Sequence, residues 1–558
     1  FMDPKKFFAE LKRRKVYSVA VAYVVAGWVL IQVATQVFPF FDVPNWVVRL
    51  VVVVVVLGFG VALVLSWFFD FTRYGVIRTP DSQPVAKIDI VQPTDPNERS
   101  IAILPFVDLS PGKDHDYFSD GIAEEILTAL AKIEGLRVAA RRSSFWFKGK
   151  EAELAEIGQR LNVEHVLEGS VRRDGDRVRI TAELINTGDG FTLWSETFER
   201  QFQGIFALQD EITRAIVDAL KLKLDIAAPV SSRLVHSTDA YDVYLHGLFY
   251  SDKTSQEDLR KSLEYFERAL ERDPHFGRAW TGIAKAWLWL ADAYVPPREA
   301  YPKVREAAVN ALKIDKDDAE AHVYLGEAIR ILDWDLDAAG REFCQAVSLD
   351  PKSTPSNYFS AAFWGARGDR EEALTYLRRT AKIDPASLWV SNFACELYRY
   401  FGMYEEAIVE GERAMQLDPT FIYGAPALAV LYREMGRVDE AVELFKKAER
   451  FTGIPSFGLG IIYARQGRRD DALQILNAIT SKRNYTPGDA VAHVYVALGE
   501  HDEAIRYLEQ ACEQRSSSLH TVGIATEIAP LRSDQRFLSI LRRIGLEPDK
   551  VFAAAAAP

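Results

Sequence analysis

The chain has 558 residues, 48% of them hydrophobic and 26% charged, with a formal net charge of −12. At ~100–200 residues per domain this length predicts roughly three to five folded units, and the near-average composition excludes a disordered, collagen-like or disulfide-scaffold protein. The acidic balance, with a pI of about 5.5, argues against a nucleic-acid binder working through a general basic surface, and three cysteines cannot build a disulfide framework.

The mean hydropathy of −0.08 averages two unlike parts. Residues 16–41 are 26 positions without a charge, and 50–69 are a second uncharged run of 20 with six consecutive valines at 51–56. A bilayer core takes ~20 apolar residues as a helix, so both runs read as spans. The link Asp42-Val43-Pro44-Asn45-Trp46 is too short for a domain. The reading is a helical hairpin, with transmembrane helices at 16–41 and 47–72. A cleaved signal peptide would instead carry an apolar core of ~7–15 residues and no second span. Trp46 and Trp67 stand where interfacial aromatics stand. Lys5, Lys6, Lys12, Arg13, Arg14 and Lys15 precede the first span, and Arg73 and Arg78 follow the second. Positive residues stay inside, so both termini are expected in the cytoplasm, which suits sparse, unpatterned cysteines. Segment 1–15, with Phe7, Phe8 and Leu11 among its lysines, reads as an amphipathic helix on anionic lipid or as a plain positive flank. Phe1, ahead of Met2, and the alanine-rich 553–558 are left out of the fold reading.

A Pro-rich linker at 73–97 leads into an α/β domain expected over 98–225. The run at 101–106 is a buried-strand pattern, and Ser119 or Asp120 can cap a helix over 121–133 with Glu124 and Glu125 in its first turns. A strand at 136–140, a helix at 153–161 and strands at 165–171, 178–184 and 192–196 follow. Asp174-Gly175 marks a hairpin, and a helix at 205–222 closes a mixed-sheet domain of order βαβαβββα.

Four motifs in order carry a resemblance: Ser100-Ile101-Ala102-Ile103-Leu104-Pro105-Phe106, Asp116-Tyr117-Phe118-Ser119-Asp120-Gly121-Ile122, Leu167-Glu168-Gly169-Ser170-Val171-Arg172 and Leu193-Trp194-Ser195-Glu196. Together they resemble the TolB amino-terminal-like (FlgO-like) domain of bacterial proteins that also carry tetratricopeptide repeats. The resemblance implies a bacterial inner-membrane protein. In that family the domain often follows a class III adenylate cyclase or a winged-helix DNA-binding domain. Here the hairpin stands in that place, so neither activity carries over.

Within this domain Asp116, Asp120, Glu124 and Glu125 could ligate a metal, though Asp120 is more simply a helix cap. Arg141, Arg142, Lys148 and Lys150, interleaved with Phe145, Trp146 and Phe147, form a basic-aromatic stretch. It reads as a loop with its aromatics tucked into the core, or as an anion- or partner-binding patch.

After a linker at 226–238 the chain turns periodic. Glycine precedes alanine by five residues at Gly368/Ala373, Gly402/Ala407, Gly436/Ala441, Gly467/Ala472 and Gly499/Ala504, with glycine steps of 34, 34, 31 and 32. That is the tetratricopeptide period. An aromatic four residues earlier recurs as Trp364, Tyr398, Tyr432, Tyr463 and Tyr495. About eight repeats are expected over 239–518, stacked because one helix pair cannot bury its own face. A capping helix follows at 519–552, with Phe537, Ile540, Leu541 and Ile544 apolar. The fold class expected is multidomain and mainly α: a transmembrane hairpin, a mixed α/β domain and an α-solenoid.

Solenoids of this kind resemble peptide-binding scaffolds that use the first helix of each pair. Counting along the repeats puts Tyr358, Trp389, Asn392, Glu396, Arg399, Tyr423, Arg433, Phe457, Arg465 and His493 on that face, each with an alternative as a solvated or packing residue. Phosphate-loop, zinc-protease, Cys-x-x-Cys and nucleophile-elbow patterns are missing from the sequence, and the pairs His236/His246 and His493/His501 lack metal spacing. Cys344, Cys395 and Cys512 fall at repeat-packing positions. The expectation is a non-enzymatic scaffold without cofactor or metal, binding protein or peptide in its groove and lipid through its hairpin. Nucleic acid is not an expected partner. The hairpin and the sheet edge offer surfaces for a homo-oligomer. The alternative is a sensor whose α/β domain binds a small molecule or nucleotide and whose repeats transmit the state.

Overall fold

The computed structural model describes residues 69–72, 75–78, 99–110, 116–131, 133, 135–150, 152–201, 212, 215, 238–253, 255–291, 293–385, 387–418, 421, 423–482 and 485–556. The chain divides into two compact units, Phe1–Gln92 and Pro93–Pro558.

In the first unit β1 (Phe69–Thr72) pairs antiparallel with β2 (Gly75–Arg78), Phe69 opposite Arg78 and Thr72 opposite Gly75. This corrects the second span, whose last four residues are strand. The physical reason is readable: Phe69-Asp70-Phe71-Thr72 alternates apolar and polar with the period of two of a strand. The remainder of 16–41 and 47–72 lies outside the described residues. Among the described residues no helix is long and apolar enough to cross a membrane. The longest, 18 residues at Pro297–Ile314, carries Arg298, Glu299, Lys303, Arg305, Glu306 and Lys313. The two-span hairpin, and the inner-membrane location and lipid contact resting on it, are not upheld.

The second unit opens with a mixed sheet. Its strands are β3 (Arg99–Ile103), the short β4 (Val107–Asp108), β5 (Leu136–Val138), β6 (His165–Asp174), β7 (Arg177–Asn186) and β8 (Thr192–Gln201). Their spatial order is β5-β3-β6-β7-β8, with β4 beside β6. β3 runs parallel to β5 and β6, which needs crossovers, and helices supply them. These are α1 (Asp116–Ala131), α2 (Arg141–Phe145) and α3 (Leu154–Leu161). β6, β7 and β8 form an antiparallel meander, turned at Gly175, whose φ is 60°. Val178, Ile180, Ala182 and Leu184 of β7 face the core, and Arg177 and Arg179 face out. The helix expected at 205–222 lies almost wholly outside the described residues. α1 begins at Asp116, five residues before the expected start, so Asp120 lies inside the helix and is not its cap.

Sixteen helices then run as eight antiparallel pairs among the described residues: α4 (Thr238–Ser251) with α5 (Gln256–Arg272), α6 (Gly277–Leu290) with α7 (Pro297–Ile314), α8 (Ala319–Leu332) with α9 (Leu336–Leu349), α10 (Thr354–Ala366) with α11 (Arg370–Ile383), α12 (Leu388–Tyr400) with α13 (Tyr404–Leu417), α14 (Gly424–Glu434) with α15 (Val438–Thr452), α16 (Phe457–Arg465) with α17 (Arg469–Lys482), and α18 (Gly488–Ala497) with α19 (His501–Gln514).

The glycine period has a backbone cause. Gly368, Gly402, Gly436, Gly467 and Gly499 all take positive φ, between 71° and 83°, where a Cβ is strained. The amide three residues past the first helix, just after the glycine, closes back on the aromatic's carbonyl, as in Asp369 N to Trp364 O and Met403 N to Tyr398 O at 2.8 and 2.9 Å. This is the Schellman ending that left-handed caps allow. The partner alanines Ala373, Ala407, Ala441, Ala472 and Ala504 are fully buried, which lets each pair approach closely. In the α8–α9 turn Trp334 takes the glycine's place at φ 58°.

The chain beyond α19 does more than cap the last repeat. Two 3-10 turns (Ser517–Thr521 and Thr526–Leu531) and helices α20 (Gln535–Arg543) and α21 (Pro548–Ala556) reach back to earlier repeats. Arg515 stacks 3.6 Å from the Trp334 ring centroid, Lys550 pairs with Asp369 at 2.6 Å, and Arg330 donates to the carbonyl of Ser517 at 3.3 Å. One apolar core runs from Ile101 of the sheet through Phe266 and Phe343 to Phe537 of α20. Cys395 and Cys512 are buried, and burial pushes the Cys395 thiol up to about 12. Cys344, expected to be buried, is exposed.

Candidate functional site

The ten residues counted onto the inner face lie on, or just ahead of, first helices of adjacent pairs: Tyr358 on α10; Trp389, Asn392, Glu396 and Arg399 on α12; Tyr423 before α14; Arg433 on α14; Phe457 and Arg465 on α16; His493 on α18. Contacts join several of them into one surface. Tyr358 packs 4.6 Å from Phe393, and Trp389 lies 5.0 Å from Tyr423 and 5.4 Å from Phe421. Asn392 donates to Glu396 at 3.3 Å. Tyr423 and Arg465 are exposed, and Asn392, Arg399 and Arg433 are buried. Phe457 packs partly buried against the cluster of Leu476 and Val494.

Two segments of the chain itself occupy this face. The first is α2 of the α/β domain, which brings two of the four expected patch cations to the array. The Arg141 guanidinium lies 3.0 Å from Glu124 and pairs with Asp252, which also meets Lys285 at 3.3 Å. Burial alone would push Asp252 up, but Arg141 and Lys285 outweigh it and hold that carboxyl well below the usual range. Arg142 sits over Trp289 of α6 and Trp389 of α12, 5.5 and 5.6 Å from their ring centroids. Those two rings are 5.0 Å apart. Ser143 donates to the buried Asp384 at the end of α11. Lys148 and Lys150 do not join the pair. Lys148 binds Asp120 at 2.7 Å, and Lys150 lies over the Trp146 ring at 3.1 Å. The four carboxylates weighed as metal ligands are each beside a cation instead: Asp116 and Asp120 by Lys148, Glu124 by Arg141, and Glu125 by Arg278 at 2.5 Å.

Helix α1 seats the domain more deeply. A Cβ on Gly121 would lie 2.5 Å from Leu245 of α4, so glycine is what permits this approach. Tyr117 stacks on His246 at 3.5 Å, and Arg173 pairs with Asp242 at 3.1 Å.

The second occupant is the turn Thr526–Leu531. Arg433 pairs with Glu527, Arg399 with Glu434 at 2.5 Å, and Thr526 donates to Glu434 at 2.9 Å. His493 lies beside them with its Nε2 buried and unpartnered. Burial, then Arg433 and Arg399, lower its pKa to about 3. The sign is clear: between its ordinary ~6.5 and the folded value only the unfolded chain takes the proton, so stability falls as pH falls. The expected slope is ~1.4 kcal/mol per pH unit from this group. His520, also buried and lowered, beside Arg330, adds in the same direction. His493→Asn should flatten the slope of denaturant-derived stability between pH 6.5 and 5 by about that one-group amount. An unchanged slope would show that His493 titrates normally.

Sequence reasoning missed Trp289, Asp252, Asp384 and Glu527. Trp289 had a signal, being an aromatic on a first helix. The carboxylates had none, since they pair across more than 90 residues: Arg433 and Glu527 are 94 apart.

Residues 97–215 match the second domain of the HilA/YgeH-like transcriptional regulator family, and 427–487 and 490–517 match tetratricopeptide-repeat families. The array is a tetratricopeptide solenoid. The α/β segment is matched by a family other than the TolB-like one its motifs resemble. The putative adenylate cyclase 3 of Rhizobium meliloti (strain 1021) is 40% identical over 197 residues, 34% of this chain and 33% of that protein. The chain thus spans about a third of that curated relative's length. Among solved structures, PilW, a widely conserved type IV pilus biogenesis factor, is similar at a TM-score of 0.31 and 17% identity, covering 38% of this chain and 93% of that one. YrrB, a TPR protein with an unusual peptide-binding site, is similar at 0.24 and 16%, covering 34% and 92%. The human IFIT1 dimer with m7Gppp-AAAA is similar at 0.38 and 16%, covering 55% and 78%.

Proposed function

We propose that the chain is a non-catalytic scaffold that binds a protein or peptide along the inner, first-helix face of its repeats. The observation that carries the reading is the aromatic strip Trp289, Trp389, Phe421 and Tyr423, which holds one chain segment and stays exposed at Tyr423. The α/β domain is an interaction module built onto the first repeat through α1. A photo-crosslinking residue at Tyr423 or Arg465 should capture a discrete partner in cells, and one at Cys344, on a second helix, should not. Capture from Cys344 alone would overturn the reading.

A second reading makes the α/β domain a sensor whose state reaches the repeats. Its match to a transcriptional regulator's second domain and its seating on the array favour it. The basic pair offers no open phosphate site for it, because Arg141 is committed to Glu124 and Asp252.

A further inference from the structure

We propose that the inner face between the first and fifth repeats is a receptor for arginine-bearing peptide segments, and that the chain's own α2 fills it as an intramolecular ligand. The inference rests on the scaffold reading and names its partner class and its regulation.

Helix α2 spans five residues and has no side-chain N-cap bond. So short a helix does not persist alone in water, and what it touches must hold it. What it touches is chosen for arginine. Trp289 and Trp389 belong to repeats that are 100 residues apart in sequence, yet both rings meet one guanidinium. The array sets two carboxylates at the seat, Asp252 on Arg141 and Asp384 on Ser143, and Glu124 of α1 lies beside Arg141 from the α/β domain's own side. Planar guanidinium stacks on aromatic faces and forks onto carboxylates, which an ammonium does less well.

The seat is also built to be exchanged. Its contacts to α2 include the ion pair to Asp252 and the Ser143–Asp384 hydrogen bond, polar contacts of the kind found in interfaces that open and close. Ser144 is fully buried with its hydroxyl unpartnered, so the seat does not satisfy α2 completely. Beyond Trp389 the aromatic strip continues to Phe421 and Tyr423, and Tyr423 is 44% exposed, so part of the strip is open to a longer ligand. A partner carrying adjacent arginines followed by small hydroxyl residues would displace α2 and dock in its place.

The test uses the full chain and a labelled peptide of residues 139–147. Arg141→Ala/Arg142→Ala/Ser143→Ala should empty the seat. The emptied chain should bind the peptide at least ~10-fold tighter than wild type by fluorescence anisotropy. Adding Trp389→Ala, or changing both peptide arginines to lysine, should abolish the gain. A folded triple variant that binds no tighter than wild type, or that takes the lysine peptide equally, overturns the proposal. If the triple variant does not fold, hydrogen exchange on wild type decides. Excess peptide must then speed exchange of the chain's own 141–147 amides, and no change overturns the proposal. Crosslinks from Tyr423 or Arg465 that persist alongside a failed peptide test would leave the scaffold reading standing and remove this inference alone.

Discussion

Arg433→Ala is expected to lower stability by ~3–5 kcal/mol, the cost of leaving one partner of a buried ion pair uncompensated. Arg433 and Glu527 are both nearly buried, with side chains 3% and 7% exposed. Removing the guanidinium strands the Glu527 carboxylate against the groove and also withdraws a positive neighbour of Glu434, which already has one oxygen without a hydrogen-bond partner. Because Glu527 belongs to the turn that folds back onto α14, the loss should be local first. Hydrogen exchange should accelerate over 515–556 before it does over α4 to α7. The control is Arg433→Leu with Glu527→Leu, which removes both charges and keeps apolar volume. It should recover most of the loss, since a buried pair replaced by packed apolar groups is often close to neutral. A single variant costing under ~1 kcal/mol in urea unfolding would mean that water reaches the pair and the return segment is held elsewhere.

That pair marks where the sequence stopped being informative. The repeat array was legible because its period has a local cause: a left-handed backbone needs glycine, and a close helix pair needs alanine five residues later. Counting on the same frame placed Trp389, Arg399, Arg433 and His493 on one face, since helical periodicity fixes facing once the turn is known. What covers that face was not legible. Arg141 finds Asp252 and Arg433 finds Glu527 only after the chain has folded over itself, and no spacing encodes such a contact. Helix α2 reads in sequence as a loop or patch because five residues are too few to show a period. Trp334 hid a turn for the opposite reason: a bulky residue stands where the pattern wants glycine, and its strain is offset by the Arg515 stacked on it. At 47–72 the long hydrophobic run masks the alternation at its end, so the strand reads in sequence as the foot of a helix.

Phe266→Ala is the other large expected effect, ~3–5 kcal/mol, the loss for a fully buried phenylalanine that leaves a cavity. Phe266 of α5 is the wedge of the first two repeats. A Cβ on Gly247 of α4 would sit 2.5 Å from its ring, and one on Gly282 of α6 would sit 2.6 Å away. Both glycines therefore exist to admit this ring, at a helix-propensity cost of ~1 kcal/mol each. The consequence is a change of sign. In wild type Gly282→Ala should destabilise, because the new methyl collides with a ring that has no room to move. In the Phe266→Ala background the same change should stabilise by ~1 kcal/mol, because it fills part of the cavity and restores helix propensity. The core that contains Phe266 also contains Leu245, on which α1 of the α/β domain sits, so Phe266→Ala should loosen that docking too. Urea unfolding of the four chains gives the coupling directly. If Gly282→Ala has the same sign in both backgrounds, the glycines are not kept for Phe266, and the close packing of the first repeats has another cause.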